Sequence, residues 1–205
     1  PLHNEVIAAQ REKEGATFTT HDRGIAVKSF DPAFRPVYIA NAPDGSVFVS
    51  DMYEYYIAHG QHYQNQIDPT SGRIYRISGV DSPLESDLDL AKKTTTELVA
   101  LLAHPNKWHR QTAVRLIGER EDPHTIPSLK EFIISEPNIG ALNALWALYQ
   151  SGGFDTAVAI HALTHPFPPV RIWATRLLED SYGIHRNPGL VAEQFRARSL
   201  AEELF

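Results

Sequence analysis

The sequence predicts an α+β protein of two unlike parts, an antiparallel sheet ending near Ile77 and an array of helical hairpins beginning near Thr94. Two observations predict it. Apolar residues recur with a period of about 2 before Ile77 and about 3.6 after Thr94. The helical part also repeats itself about every 30 residues, the mark of stacked two-helix units.

The first part is read from short runs rich in valine, isoleucine, tyrosine and phenylalanine. VYIA (37–40) and VFVS (47–50) flank Pro43-Asp44-Gly45. Proline presets φ there, aspartate bonds its own backbone, and glycine accepts positive φ, so the pair is expected to be a hairpin. RIYRI (73–77) is the expected third strand. EVIAAQ (5–10) and ATFTT (16–20) form another expected hairpin, turning at Lys13-Glu14-Gly15. The long connection 51–72 carries Asp51, Tyr53, Tyr55, Tyr56, His59, His62 and Tyr63. Such a loop either faces a ligand or packs over the sheet through its own tyrosines. Residues 79–93 are polar and acidic, with Pro83, and read as a linker.

From Thr94 the spacing predicts six helices in three pairs, at 94–104, 109–120, 128–134, 141–150, 155–163 and 171–180. Aligning the second helix of each pair puts Ala113, Ala144 and Ala174 in register. A recurring small residue is what a repeated close helix contact requires. Compact, alanine-rich units of this length suit HEAT-type repeats in an α-solenoid. An amphipathic segment, 189–205, either begins a fourth unit or caps the array. The domain reading is therefore 1–78 sheet, 79–93 linker and 94–205 helical repeats.

Composition narrows the function classes. The net charge of −6 argues against a general nucleic-acid binder. With no cysteine, disulfides, thiolate zinc sites, iron–sulfur clusters and a CxxCH haem attachment are impossible within these residues. No apolar run approaches the ~20 residues that cross a bilayer, so no transmembrane segment is expected here. The chain opens at Pro1 without a signal-peptide pattern and is read as the C-terminal piece of a longer protein.

The ordered run FRPVYIANAPDGSVFVSDMY (34–53), GRIYRI (72–77), ELVALLAHPNKWHRQTAVRLIGER (97–120) and ALNALWALYQ (141–150) resembles a known arrangement. It is similar to the large membrane-bound dehydrogenase-like proteins of planctomycetes and verrucomicrobia. In those, a glucose/sorbosone dehydrogenase-like β-propeller precedes HEAT repeats, often with a cytochrome c domain. The resemblance implies that residues 1–78 are the terminal strands of a β-propeller, too few to close a ring of four-stranded blades. It implies a parent oxidoreductase using pyrroloquinoline quinone (PQQ) and calcium on a small sugar-like alcohol or aldehyde. An electron-acceptor protein or cytochrome c domain would be the partner, and the location exported, in the periplasm or cell envelope.

The resemblance makes Arg35, Asp51 and Tyr53 the candidate cofactor-side residues; no catalytic residue is assigned. A guanidinium at Arg35 suits a PQQ carboxylate because its fork bonds two oxygens. The alternative is an arginine pairing a neighbouring blade, and the second arginine of the family's pattern is missing at Val37. Asp51 either binds calcium, orients a substrate hydroxyl, or caps the loop backbone. His59 and His62 lack a third ligand, and His161 and His165 stand four apart at a helix end, so no metal site is expected. Trp108, Trp146 and Trp173 read as packing residues. Arg110, Arg115, Arg171 and Arg176 recur on the second helices and either bond a neighbouring repeat, line a solvated face or form a binding groove. Two functions follow: a dehydrogenase fragment with the helices as an interaction arm, or a non-catalytic scaffold binding a protein or glycan.

Overall fold

The computed structural model describes residues 4–14, 17–55, 68 and 70–182. They form an α+β chain of two compact units, residues 1–84 and 85–205.

The first unit holds two antiparallel sheets. Strands β1 (Glu5–Glu14) and β2 (Thr17–Lys28) make a two-stranded ribbon, pairing from Glu5 with Lys28 to Glu14 with Thr17. Both strands run well past the expected 5–10 and 16–20, because no proline interrupts either one. The single interior glycine, Gly24, instead takes φ +130° beside a register shift at Ala8/Ala9, where a bulge needs it. Ile7, Phe18 and Ile25 remain about half exposed on this ribbon. Strands β3 (Pro36–Asn41), β4 (Val47–Asp51) and β5 (Arg73–Ile77) form a second sheet with β4 in the centre. This sheet buries few apolar side chains: Val49, Ala42, and Phe34 and Ala33 from the lead-in to β3.

The Pro43-Asp44-Gly45 turn forms as its residues dictate. Gly45 N–H donates to the Ala42 carbonyl at 3.2 Å, with Gly45 at φ +84°. Asp44 accepts from the Ser46 amide at 3.0 Å and the Ser46 hydroxyl at 2.6 Å, and also pairs with Arg76 on β5. Arg76 Nε donates to Ser46 Oγ at 3.0 Å. One turn aspartate thereby ties the β3–β4 hairpin to the strand that follows it. The Ser46 bonds, then Arg76, lower its carboxyl to about 2.

In the second unit the helices are α1 (Thr95–Ala100), α2 (Lys107–Arg120), α3 (Ile126–Ser135), α4 (Ile139–Gln150), α5 (Thr156–Leu163) and α6 (Pro168–Tyr182). Their starts are set by caps. Thr94 and Glu97 make a reciprocal capping box; Asn106, Asn138 and Asp155 cap α2, α4 and α5. The second helices begin two or three residues earlier than apolar spacing alone places them. The reason is these asparagine caps and, at α6, Pro168 and Pro169, whose fixed φ suits a first turn. The segment 189–205 lies outside the described residues.

Consecutive helices pack in pairs, and α2, α4 and α6 lie side by side. Ala113, Ala144 and Ala174 are all fully buried. At Gly118 a Cβ would sit 2.9 Å from Gln150 Cβ on α4. Around them Leu98, Leu102, Ile117, Leu129, Ile133, Leu145 and Leu148 fill one continuous core.

Buried polar side chains join the pairs. Asn143 Nδ2 on α4 donates to the Leu102 carbonyl at 2.9 Å. His165 Nε2 lies 3.1 Å from both the Ile133 and Glu136 carbonyls, while its Nδ1 accepts from Phe167 N at 3.1 Å. That pattern places the ring proton on Nε2. The Asn143 and His165 Nε2 contacts each reach a carbonyl at or just past the end of a first helix, where helical partners run out.

Candidate functional site

The residues singled out for chemistry converge at one end of the β3–β5 sheet. Asp51 closes β4, and antiparallel register puts it opposite Arg73, the first residue of β5. The Asp51 side chain is fully buried. Its Oδ1 accepts from Arg35 N at 2.7 Å and Tyr53 N at 2.9 Å. Its Oδ2 accepts from Arg73 Nε at 3.2 Å and Nη2 at 3.0 Å. One carboxylate thus takes four donors, from the entry to β3, the exit from β4 and the start of β5.

Arg73 is the centre of the cluster. Its Nη2 also reaches Asp31 Oδ2 at 3.3 Å. Its guanidinium carbon stands 3.8 Å from the centre of the Tyr53 ring, a cation–π stack, and 5.5 Å from that of Tyr75. Burial opposes the charge on Arg73, but its bonds to Asp51 and Asp31 raise its pKa. Asp31 is held below the usual carboxylate range, first by the Ala33 amide and then by Arg73. Tyr53 is pushed up by the neighbouring Asp31 charge and by desolvation. It occupies left-handed backbone at φ +52°, unusual for an aromatic residue. The N–H bond to Asp51 and the stack on Arg73 hold it there.

Arg35 turns its fork onto the backbone. Nη1 donates to its neighbour's carbonyl, Phe34 O, at 2.9 Å, and Nη2 to Tyr55 O at 3.0 Å. The arginine staples the start of the long connection to the lead-in of β3. At the far end of that connection, Asp68 N donates to Glu54 Oε1 at 3.1 Å. Tyr56, His59, His62 and Tyr63 lie outside the described residues.

These side chains do not fit PQQ or calcium. Calcium takes about 6–8 oxygen ligands, whereas the oxygens of Asp51 are already covered by N–H groups, two of them on a cation. A tricarboxylate cofactor needs free guanidinium donors, whereas Arg73 is paired with Asp51 and Asp31 and Arg35 donates to two backbone carbonyls. Among the described residues no group of three or more histidines or carboxylates is placed to hold a metal ion.

In the helical unit, the recurring arginines serve local structure. Arg110 Nη1 closes on the His104 and Pro105 carbonyls at 2.6 and 2.7 Å, and Arg171 Nη1 on those of His165 and Pro166 at 2.7 and 3.2 Å. Arg115 pairs with Glu119, and Arg176 stacks on Trp173. Trp146 and Trp173 meet edge to face at 5.0 Å, as packing residues do.

Sequence reasoning singled out Arg35, Asp51 and Tyr53 but not Arg73 and Asp31, which join them in the structure. The signal for Arg73 is register: once VFVSD and RIYRI pair, Asp51 faces the first residue of the last strand. Asp31 offered no signal, since its contact with Arg73 spans 42 residues of chain.

Residues 1–81 match a family described only as a domain of unknown function, DUF7133. The match takes in the sheets and stops short of the helices. No curated protein and no solved structure matches the chain.

Proposed function

We propose that this chain is an interaction scaffold, a propeller-type blade followed by a HEAT-like α-solenoid. It acts by presenting surfaces to a protein or glycan partner rather than by holding a redox cofactor. The observation that carries the reading is the saturation of Asp51. The residues best suited to a cofactor spend their donors and acceptors on one another and on the backbone. Two further features support it. Three sequential antiparallel strands, the first two joined by a tight turn, are the kind of unit from which propeller blades are built. The buried alanine register across α2, α4 and α6 suits a stacked repeat.

A second reading keeps the parent as a PQQ-dependent, exported oxidoreductase of sugar-like alcohols or aldehydes. It is favoured by the convergence of Arg35, Asp51 and Tyr53 at one sheet end. On that reading other blades hold the cofactor and calcium, and the helices dock an electron acceptor such as a cytochrome c domain. Isothermal titration of the full-length parent with PQQ and calcium separates the two. The scaffold reading expects no saturable heat from either. Stoichiometric PQQ binding overturns it.

A further inference from the structure

Between α1 and the start of α3 lies a polar cleft of about 110 Å³, lined by Thr95, Thr96, Asp122, His124, Thr125 and Ser128. One water needs roughly 10–15 Å³ of such space, so the cleft admits one edge of a small molecule. Unlike the groups around Asp51, its polar atoms are not spent. Thr125 is 4% exposed, and its hydroxyl has no hydrogen-bond partner among the described residues. A buried hydroxyl left unpaired costs stability, which a ligand that pairs it restores. Threonine in helical backbone has two χ1 settings, and passing from one to the other exchanges the enclosed hydroxyl with the methyl group at the cleft wall. Thr95 Oγ1 accepts from Arg120 Nη1 at 3.4 Å, which leaves its own proton to donate. Asp122 Oδ1 accepts from His124 N at 3.0 Å, which leaves Oδ2 to accept. Thr96, His124 and Ser128 are exposed at the mouth.

Charge narrows the ligand. The Asp122 carboxylate repels an anion. A single carboxylate falls far short of the roughly 6–8 oxygens that calcium takes, and the positive end of the α3 dipole opposes a cation. A neutral ligand remains. Hydroxyl groups both donate and accept, so a wall of hydroxyls beside one free carboxylate oxygen is matched by a ligand that carries several adjacent hydroxyls of its own. The open mouth lets the rest of such a molecule extend into solvent.

We infer that this cleft binds the terminal hexose of a neutral glycan, with Asp122 Oδ2 accepting from one sugar hydroxyl and the Thr95 and Thr125 hydroxyls bonding its neighbours. The inference rests on the scaffold reading and selects its glycan; the PQQ titration tests that reading itself, so the two fail separately. Amide NMR titration of the full chain with glucose, galactose and mannose tests it, with glycerol and inorganic phosphate as controls. Saturable shifts at the Thr96, His124, Thr125 and Ser128 amides are expected with at least one hexose. Thr125→Val removes the hydroxyl and keeps the shape. It weakens binding by about 3- to 10-fold yet leaves the urea midpoint of the free chain equal or higher, because the hydroxyl has no partner there. Asp122→Asn keeps the cap and weakens binding by about 10-fold, as loss of a charged acceptor does. Absence of shifts with all three hexoses overturns the inference, as does glycerol or phosphate binding the same amides as tightly. A lowered urea midpoint in Thr125→Val overturns it equally, since the hydroxyl would then be spent within the fold.

Discussion

Replacing Asp51 by alanine removes one carboxylate and strands four donors. The amides of Arg35 and Tyr53 lose their acceptor, and Arg73 keeps only Asp31. Breaking a fully buried ion pair from one side costs about 3–5 kcal/mol, but Arg73 is 38% exposed and water recovers part of that. A loss of about 2–4 kcal/mol follows, including the two unsatisfied amides. The sheet unit has little apolar core to absorb it. Hydrogen exchange is the suitable assay, because all three tryptophans lie in the helical unit and their fluorescence does not report the sheet. Amide protection across β3–β5 is expected to fall by about 30- to 1000-fold, while the tryptophan-monitored urea transition stays in place. In a double-mutant cycle with Arg73→Met, the pair should show a coupling of at least about 1 kcal/mol. Protection unchanged within threefold, or no coupling to Arg73, would falsify the lock.

Three other outcomes are expected. Asp44 is held at about 2 by Ser46 and Arg76, below its unfolded value. Its contribution is therefore full above roughly pH 4 and lost as pH falls toward 2; Asp44→Asn should flatten that part of the acid-stability curve of the β3–β5 amides. His165→Ala removes the donor to Ile133 O and Glu136 O and leaves a small void, a loss of about 2–3 kcal/mol in urea melts followed by tryptophan fluorescence. His165→Gln, which offers an N–H to the same carbonyls, should recover part of it. Ala144→Leu forces extra volume between neighbouring second helices where no space exists, and the same melts should show a loss of about 1–3 kcal/mol.

The division into sheet and helices was legible because it is written in local periodicity. The Pro43-Asp44-Gly45 turn and the alanine register act within a few residues or recur at a fixed interval, and sequence carries such signals directly. The β1–β2 ribbon was underestimated because its exposed, polar strands lack the apolar alternation that marks a strand. The helix starts came early because an asparagine cap outweighs the first apolar residue.

The cluster around Asp51 was legible only as a group of suggestive residue types. Arg35, Asp51 and Tyr53 have the chemistry of a cofactor site, and composition cannot say which way their forks point. Folding brought Arg73 and Asp31 to the same place across a long loop, and their charges turned a candidate ligand set into an internal lock. Sequence by itself determined where strand gives way to helix, how the hairpin turns and which alanines recur at a fixed interval, since these depend on near neighbours or on the repeat. Tertiary structure alone decided what Asp51 does, because an acceptor's role is set by which donors reach it first.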